Sequence, residues 1–178
     1  MRSEDSAAGP VNEDLGRRSG LTDPVVGVPA AGVVVADIDL DPPVAVFEGK
    51  VAASNMLKDT TTVPDYAGVP TAVFTVPELT RVGLLEQDVR DQGLDVDVRY
   101  RDTSDWYSNY RIGETTAATK ILIDRSTDRI VGAHLLGPEY GELINFLGLA
   151  MKLELTTRQL KSMTAAYPTI GSDLGSML

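Results

Sequence analysis

The sequence predicts an α+β fold, a small antiparallel sheet with helices packed on one side. Three observations predict it. Asp95 to Asp102, DVDVRYRD, alternates with period two, so Val96, Val98 and Tyr100 share one face and charges take the other, as in a half-buried antiparallel strand. Two more strand-like runs, Thr115 to Asp124 and Ile130 to Leu136, flank the turn Arg125-Ser126-Thr127-Asp128, which reads as a hairpin. They lead straight into an apolar-striped helix, without the strand–helix–strand repetition that builds a parallel sheet.

Taken in order, Met1 to Pro24 is rich in Gly, Ser, Asp, Glu and Arg with no apolar period, and residues 1–24 are expected to be a disordered tail. Val33-Val34-Val35 reads as a short buried strand after a bend at Gly32. Asp41-Pro42-Pro43 ends extended structure and starts a helix over 43–57, largely apolar. Gly49 weakens that helix by about 1 kcal/mol relative to Ala. An apolar helix of this kind is buried on more than one side or expects a partner. Lys58 to Pro70, with Pro64, Gly68 and Pro70, reads as a surface linker.

Thr71 to Thr75 is strand-like, and Thr75-Val76-Pro77-Glu78 has capping-box spacing, which predicts a short helical turn. Leu84 to Gln92 reads as helix, with Glu86 placed to pair with Arg90 and Gly93 as its stop. Thr103 to Gly113 is a polar, aromatic loop carrying Trp106, Tyr107 and Tyr110. After the hairpin, Pro138 suits a first helical position. Glu139 and Glu142 lie early in that helix and Lys152 late, the favourable signs for its dipole. Leu143, Ile144, Leu147, Ala150 and Met151 recur at helical spacing. Thr156 to Gln159 looks like another cap, opening a short helix to about Met163. Tyr167 precedes Pro168 and so favours extended backbone. Thr169 or Gly171 then opens a last helical turn.

Composition removes several classes. A formal net charge of −10 argues against a nucleic-acid partner, because phosphate binding needs clustered Lys and Arg. There is no cysteine, so disulfides, thiolate catalysis and Cys-ligated metals are out. No metal site is expected, since His134 is the lone histidine and Asp95, Asp97 and Asp102 are not spaced as a calcium loop. His134, inside an apolar strand, reads as a sheet histidine. Gly171-Ser172 lacks the spacing of a nucleophile elbow. No apolar run is long enough to cross a bilayer, and the start has no secretory-signal pattern. No membrane role is expected, and a cytoplasmic location is.

Four stretches carry a resemblance: Pro43-Val44-Ala45 with Glu48-Gly49; Val73 to Leu79 with Val82-Gly83-Leu84; Lys120 to Ile123 with Ile130 to Gly137; and Tyr167-Pro168-Thr169. In this order and spacing, from about Pro43 to Leu178, the chain resembles the C-terminal part of the pyridine nucleotide-disulfide oxidoreductases, a family that includes glutathione reductase, lipoamide dehydrogenase and mercuric reductase. The resemblance implies the family's dimerisation domain over 63–178, preceded by a remnant of the end of the FAD domain over 25–62. It implies that the helix from Val44 points its N-terminus at a flavin ring, so Val44, Ala45, Tyr167 and Pro168 are the candidate cofactor contacts. The family's Gly-Asp pair before that helix is matched only by Gly32-Val33, with Asp37 imperfectly spaced. No G-x-G-x-x-G and no Cys pair are present.

Disulfide-reducing members place His-Pro-Thr and then Glu at the last motif. Here Tyr167 stands at the His position and Ser172 at the Glu position, with Asp173 next. A phenol with an unperturbed pKa near 10 is a poor base at neutral pH, so Tyr167 is expected to contact an interface or flavin without moving a proton. The expectation is a homodimerising interface domain, inactive alone, with FAD only in an assembled enzyme. The alternatives are a subunit of a split FAD-dependent NAD(P)H oxidoreductase, or an interaction module that pairs with a full-length relative. Trp106, Tyr107 and Tyr110 fit either a ligand groove or a subunit contact.

Overall fold

The structure, a computed structural model, describes residues 42–58 and 62–178. Helix α1 spans Pro42–Leu57. Strands β1 (Pro70–Val73) and β2 (Glu78–Gly83) precede helix α2 (Glu86–Asp91) and strand β3 (Val96–Asp102). Helix α3 (Tyr107–Tyr110), strands β4 (Ala118–Asp124) and β5 (Arg129–Gly137), and helices α4 (Tyr140–Lys152) and α5 (Thr157–Lys161) follow. A 3-10 turn at Ile170–Asp173 runs into helix α6, Leu174–Met177. The expectations for the tail, for Val33-Val34-Val35 and for Gly32, Val33 and Asp37 lie outside the described residues.

The five strands form one sheet in the order β1-β2-β5-β4-β3, and every pairing is antiparallel. Register assigns the faces, because residues directly opposite each other share one. Val82 faces Ala133, which faces Ile121, and Thr80 faces Leu135. Val82, Ala133, Ile121 and Leu135 join Leu143, Ile144 and Leu147 of α4, and Leu174 and Met177 of α6, in the main core, and Thr80 is buried on the same face. The opposite face carries the row Arg81, His134, Lys120. Short α2 covers it: Lys120 Nζ meets Glu86 Oε2 at 3.0 Å, and His134 Nε2 lies 3.1 Å from the Leu84 carbonyl. Most of the helical mass therefore sits on one side of an antiparallel sheet.

Two local expectations need correction. No helical turn follows Thr75. Glu78–Gly83 is a strand paired along its whole length with β5, and the Thr75 hydroxyl donates to the Pro77 carbonyl at 2.7 Å instead of capping a helix. Ladder bonds on both sides outweigh a local cap. Nor is Pro138 the first residue of α4. Glu139 takes a left-handed conformation, φ 60°, and the helix begins at Tyr140. Buried Tyr140 folds back so far that a Cβ on Gly137 would fall 2.4 Å from its ring. The carboxylate that meets the helix start comes from β2: Glu78 Oε2 accepts the Gly141 N–H at 2.6 Å. It satisfies an orphan donor and lies at the positive end of the dipole.

Helix α1 buries only Val44. Phe47 packs edge-on against Tyr66 at 6.5 Å, the Tyr66 hydroxyl donates to Glu48 at 2.6 Å, and Asn55 exchanges two hydrogen bonds with the Thr62 backbone. Val46, Met56 and Leu57 are exposed. No helix among the described residues is long and apolar enough to cross a membrane.

Candidate functional site

Two surfaces stand out, and the residues singled out by sequence lie on the first of them and on α1. The first is the turn at Tyr167. Tyr167 is 75 % exposed and stacks on Tyr107 of α3, with ring centroids 6.3 Å apart and planes 27° apart. The turn is closed locally: the Thr169 hydroxyl donates to the Ala166 carbonyl at 2.6 Å, and the Ser172 hydroxyl donates to the Thr169 carbonyl at 2.5 Å. Ser172 therefore acts within its own turn. The neighbouring Asp173 carboxylate accepts a hydrogen bond from the Ser108 hydroxyl, which ties the turn to α3.

Helix α3 is anchored beneath by a polar cluster that sequence reading missed. The Tyr140 hydroxyl lies 2.8 Å from Thr103 Oγ1 and accepts from Asn109 Nδ2 at 3.2 Å. Asn109 also donates to the Thr103 carbonyl at 2.8 Å. Burial raises the Tyr140 phenol above its ordinary pKa of 10.0, against the opposing pull of its Thr103 and Asn109 hydrogen bonds. Tyr140 is thus a neutral structural phenol. The available signal was its place, an amphipathic residue at the start of the most apolar helix. Its partners are 37 and 31 residues away, which no local pattern encodes.

The other candidate contacts sit on α1. Its first two residues are Pro42 and Pro43, which have no N–H, so the free donors of its first turn belong to Val44 and Ala45. The Val44 side chain is buried and Ala45 is exposed. No hydrogen bond or ion pair among the described residues links Val44 or Ala45 with Tyr167 or Pro168. Val44 and Ala45 offer free amides at the start of α1, and Tyr167 offers an exposed aromatic face. Among the described residues no cluster of His, Asp or Glu could hold a metal ion.

The second surface is the outer face of α4. Its inner face, Leu143, Ile144, Leu147 and Ala150, is buried. Phe146, Leu149 and Leu153 stand on the other side at spacings of three and four residues and are half exposed or more. The end of α4 approaches the segment before β1 closely. A Cβ on Gly148 would fall 2.5 Å from the Gly68 carbonyl, and one on Gly68 2.3 Å from the Gly148 carbonyl. Lys152 pairs with Asp65 there. The helix is held on the sheet while its apolar outer stripe stays open.

Comparison with known proteins agrees with this architecture. Residues 69–177 match the model of the pyridine nucleotide-disulphide oxidoreductase dimerisation domain. An uncharacterised 19.7 kDa protein in a mercuric resistance operon of Staphylococcus aureus is 43 % identical over 136 residues, 76 % of each chain. Dihydrolipoyl dehydrogenase of Geobacillus stearothermophilus is 32 % identical over 71 % of this chain but only 27 % of its own length. Among solved structures, the HOCl-induced flavoprotein disulfide reductase RclA from Escherichia coli matches with a TM-score of 0.65 and 26 % identity, over 72 % of this chain and 30 % of that one. The chain thus spans less than a third of these two longer proteins. It belongs to the pyridine nucleotide-disulphide oxidoreductase family, and what it carries of that family is the dimerisation domain.

Proposed function

We infer that this chain is a pairing module, joined to a second copy through the outer face of α4, and that it has no oxidoreductase activity alone. The observation that carries the reading is α4 itself. One stripe of it fills the core, and a second apolar stripe, Phe146, Leu149 and Leu153, faces outward. A two-fold axis would bury that stripe against itself, which suits an isologous contact. Lack of activity is supported by the missing parts: no Cys pair and no glycine-rich dinucleotide loop. At the last motif Tyr167 sits stacked on Tyr107 and exposed, where a phenol is a poor base at neutral pH. The working division is a tail over 1–24, the end of a flavin-binding unit over 25–62 and the pairing domain over 63–178.

A second reading has its own support in α1. Val46, Met56 and Leu57 are uncovered on a helix that buries only one residue, which favours a further chain seated there. In that assembly the Val44 and Ala45 amides and the Tyr167-Pro168 turn would contribute contacts to FAD, and the flavin would supply the redox chemistry. The likeness to the flavoprotein disulfide reductase RclA, of which this chain covers 30 %, supports a full-length reductase as that chain. This chain itself adds no thiolate. Light scattering on the purified chain, with its visible spectrum, tests both readings. The first expects a colourless assembly of two or more paired chains without NADPH turnover. A monomer overturns it, and a flavin absorbance band favours the second.

A further inference from the structure

The sheet has two edges, and they differ. β1 is four residues long and begins at Pro70, so it offers little for another strand to pair with. β3 is seven residues long. The Arg125 N–H donates to the Asp95 carbonyl and the Thr103 N–H to the Ala117 carbonyl. Odd-numbered residues therefore turn their backbone groups to β4, and Val96, Val98, Tyr100 and Asp102 turn theirs to the open side. Among the described residues no backbone–backbone hydrogen bond reaches that side, and only the Tyr100 carbonyl is occupied, by Arg101 Nη1 at 3.1 Å. Val98 is 41 % exposed and Tyr100 49 %.

We propose that the open edge of β3 pairs antiparallel with β3 of a second copy, about a two-fold axis at Val98, giving one continuous sheet through both copies. The register follows from the residues. Centred on Val98, it sets Val98 against Val98, Val96 against Tyr100, Asp97 against Arg99 and Asp95 against Arg101. From 95 to 101 every apolar residue meets an apolar or aromatic one and every charge meets its opposite; only Asp102, at the end of the strand, falls opposite an uncharged residue, Leu94. Outward-turned backbone groups also meet outward-turned groups, as the ladder requires. A register centred on Arg99 would set the two Arg99 guanidinium groups face to face. Edge strands are usually guarded by charges that repel a copy of themselves; the alternating signs here do not. Asp97 already meets Arg99 and Arg125 within its own chain, and Asp95 meets Arg125, so these pairs become shared networks across the axis. The surface is separate from the outer face of α4, which lies over β1, β2 and β5, and the proposal does not depend on that face.

The chain has no cysteine, so single thiols report the register. In a hydrogen-bonded antiparallel pair the opposed Cα atoms are about 5.5 Å apart, within disulfide reach. Val98→Cys is expected to oxidise to a covalent dimer several-fold faster than Thr127→Cys on the exposed hairpin turn. Arg99→Cys, two residues out of register and about 8 Å from its mate, is expected to match Thr127→Cys. Val98→Pro leaves the β4 ladder intact, because the Val98 N–H points outward, and is expected to halve the mass of the assembly in sedimentation while circular dichroism stays unchanged. Val98→Cys oxidising no faster than Thr127→Cys, Arg99→Cys cross-linking in its place, or Val98→Pro leaving the mass unchanged would overturn the pairing.

Discussion

Helices α1 and α4 are the two long helices of the described chain, and both are apolar. α4 buries six residues and α1 one. The difference lies in period rather than composition. In α4 the apolar residues recur at three and four, so one stripe seats on the sheet and a second remains outside. In α1 they are spread around the helix and no single face seats. Apolar content shows that a helix wants company; only its periodicity shows whether the company lies in the same chain.

Substitutions that break or sharpen this contrast can be ranked. Leu147→Ala, on the buried stripe, is expected to cost about 2–5 kcal/mol in denaturant unfolding. Tyr140→Phe keeps the ring but strips Thr103 and Asn109 of a buried partner, and should cost about 1–3 kcal/mol. Glu78→Ala removes the carboxylate at the start of α4 and should cost about 1 kcal/mol, read as lost amide protection near Gly141. Met56→Ala on α1 should fall within about 0.5 kcal/mol, as for surface sites generally. A cost there as large as that of Leu147→Ala would erase the contrast.

Acid gives a smaller, signed effect on the face of the sheet opposite α4. The Lys120 ammonium beside Glu86 holds that carboxyl below its ordinary value of 4.5. A carboxylate depressed in the folded state stabilises it above the ordinary value, and that contribution is lost as pH falls from 4.5 through the lowered folded value. Lys120→Met should flatten the acid limb of a thermal melt across that window. An unchanged limb would mean that the pair does not hold α2.

How much of this was legible in the sequence varied with distance along the chain. The β4–β5 hairpin, the inner stripe of α4 and the Thr156–Gln159 capping box, confirmed by reciprocal bonds, depend on near neighbours and could be read directly. β2 could not, because Thr75 and Glu78 imitate a cap and the competing β5 ladder lies some fifty residues on. The start of α4 was misplaced for the same reason: its capping carboxylate comes from Glu78, 63 residues away. At the Tyr167 turn the substitution of Tyr for His was visible, but not the stack on Tyr107 or the Ser108–Asp173 bond. Those need the fold before they can be drawn.

The central claim is that the outer stripe of α4 holds two chains together. It is tested most directly by sedimentation with the β3 edge closed, comparing Val98→Pro with the same chain carrying Phe146→Glu and Leu149→Glu. The account predicts a dimer for the first and a folded monomer for the second. A dimer that survives both glutamates, or a monomer before they are introduced, would contradict it.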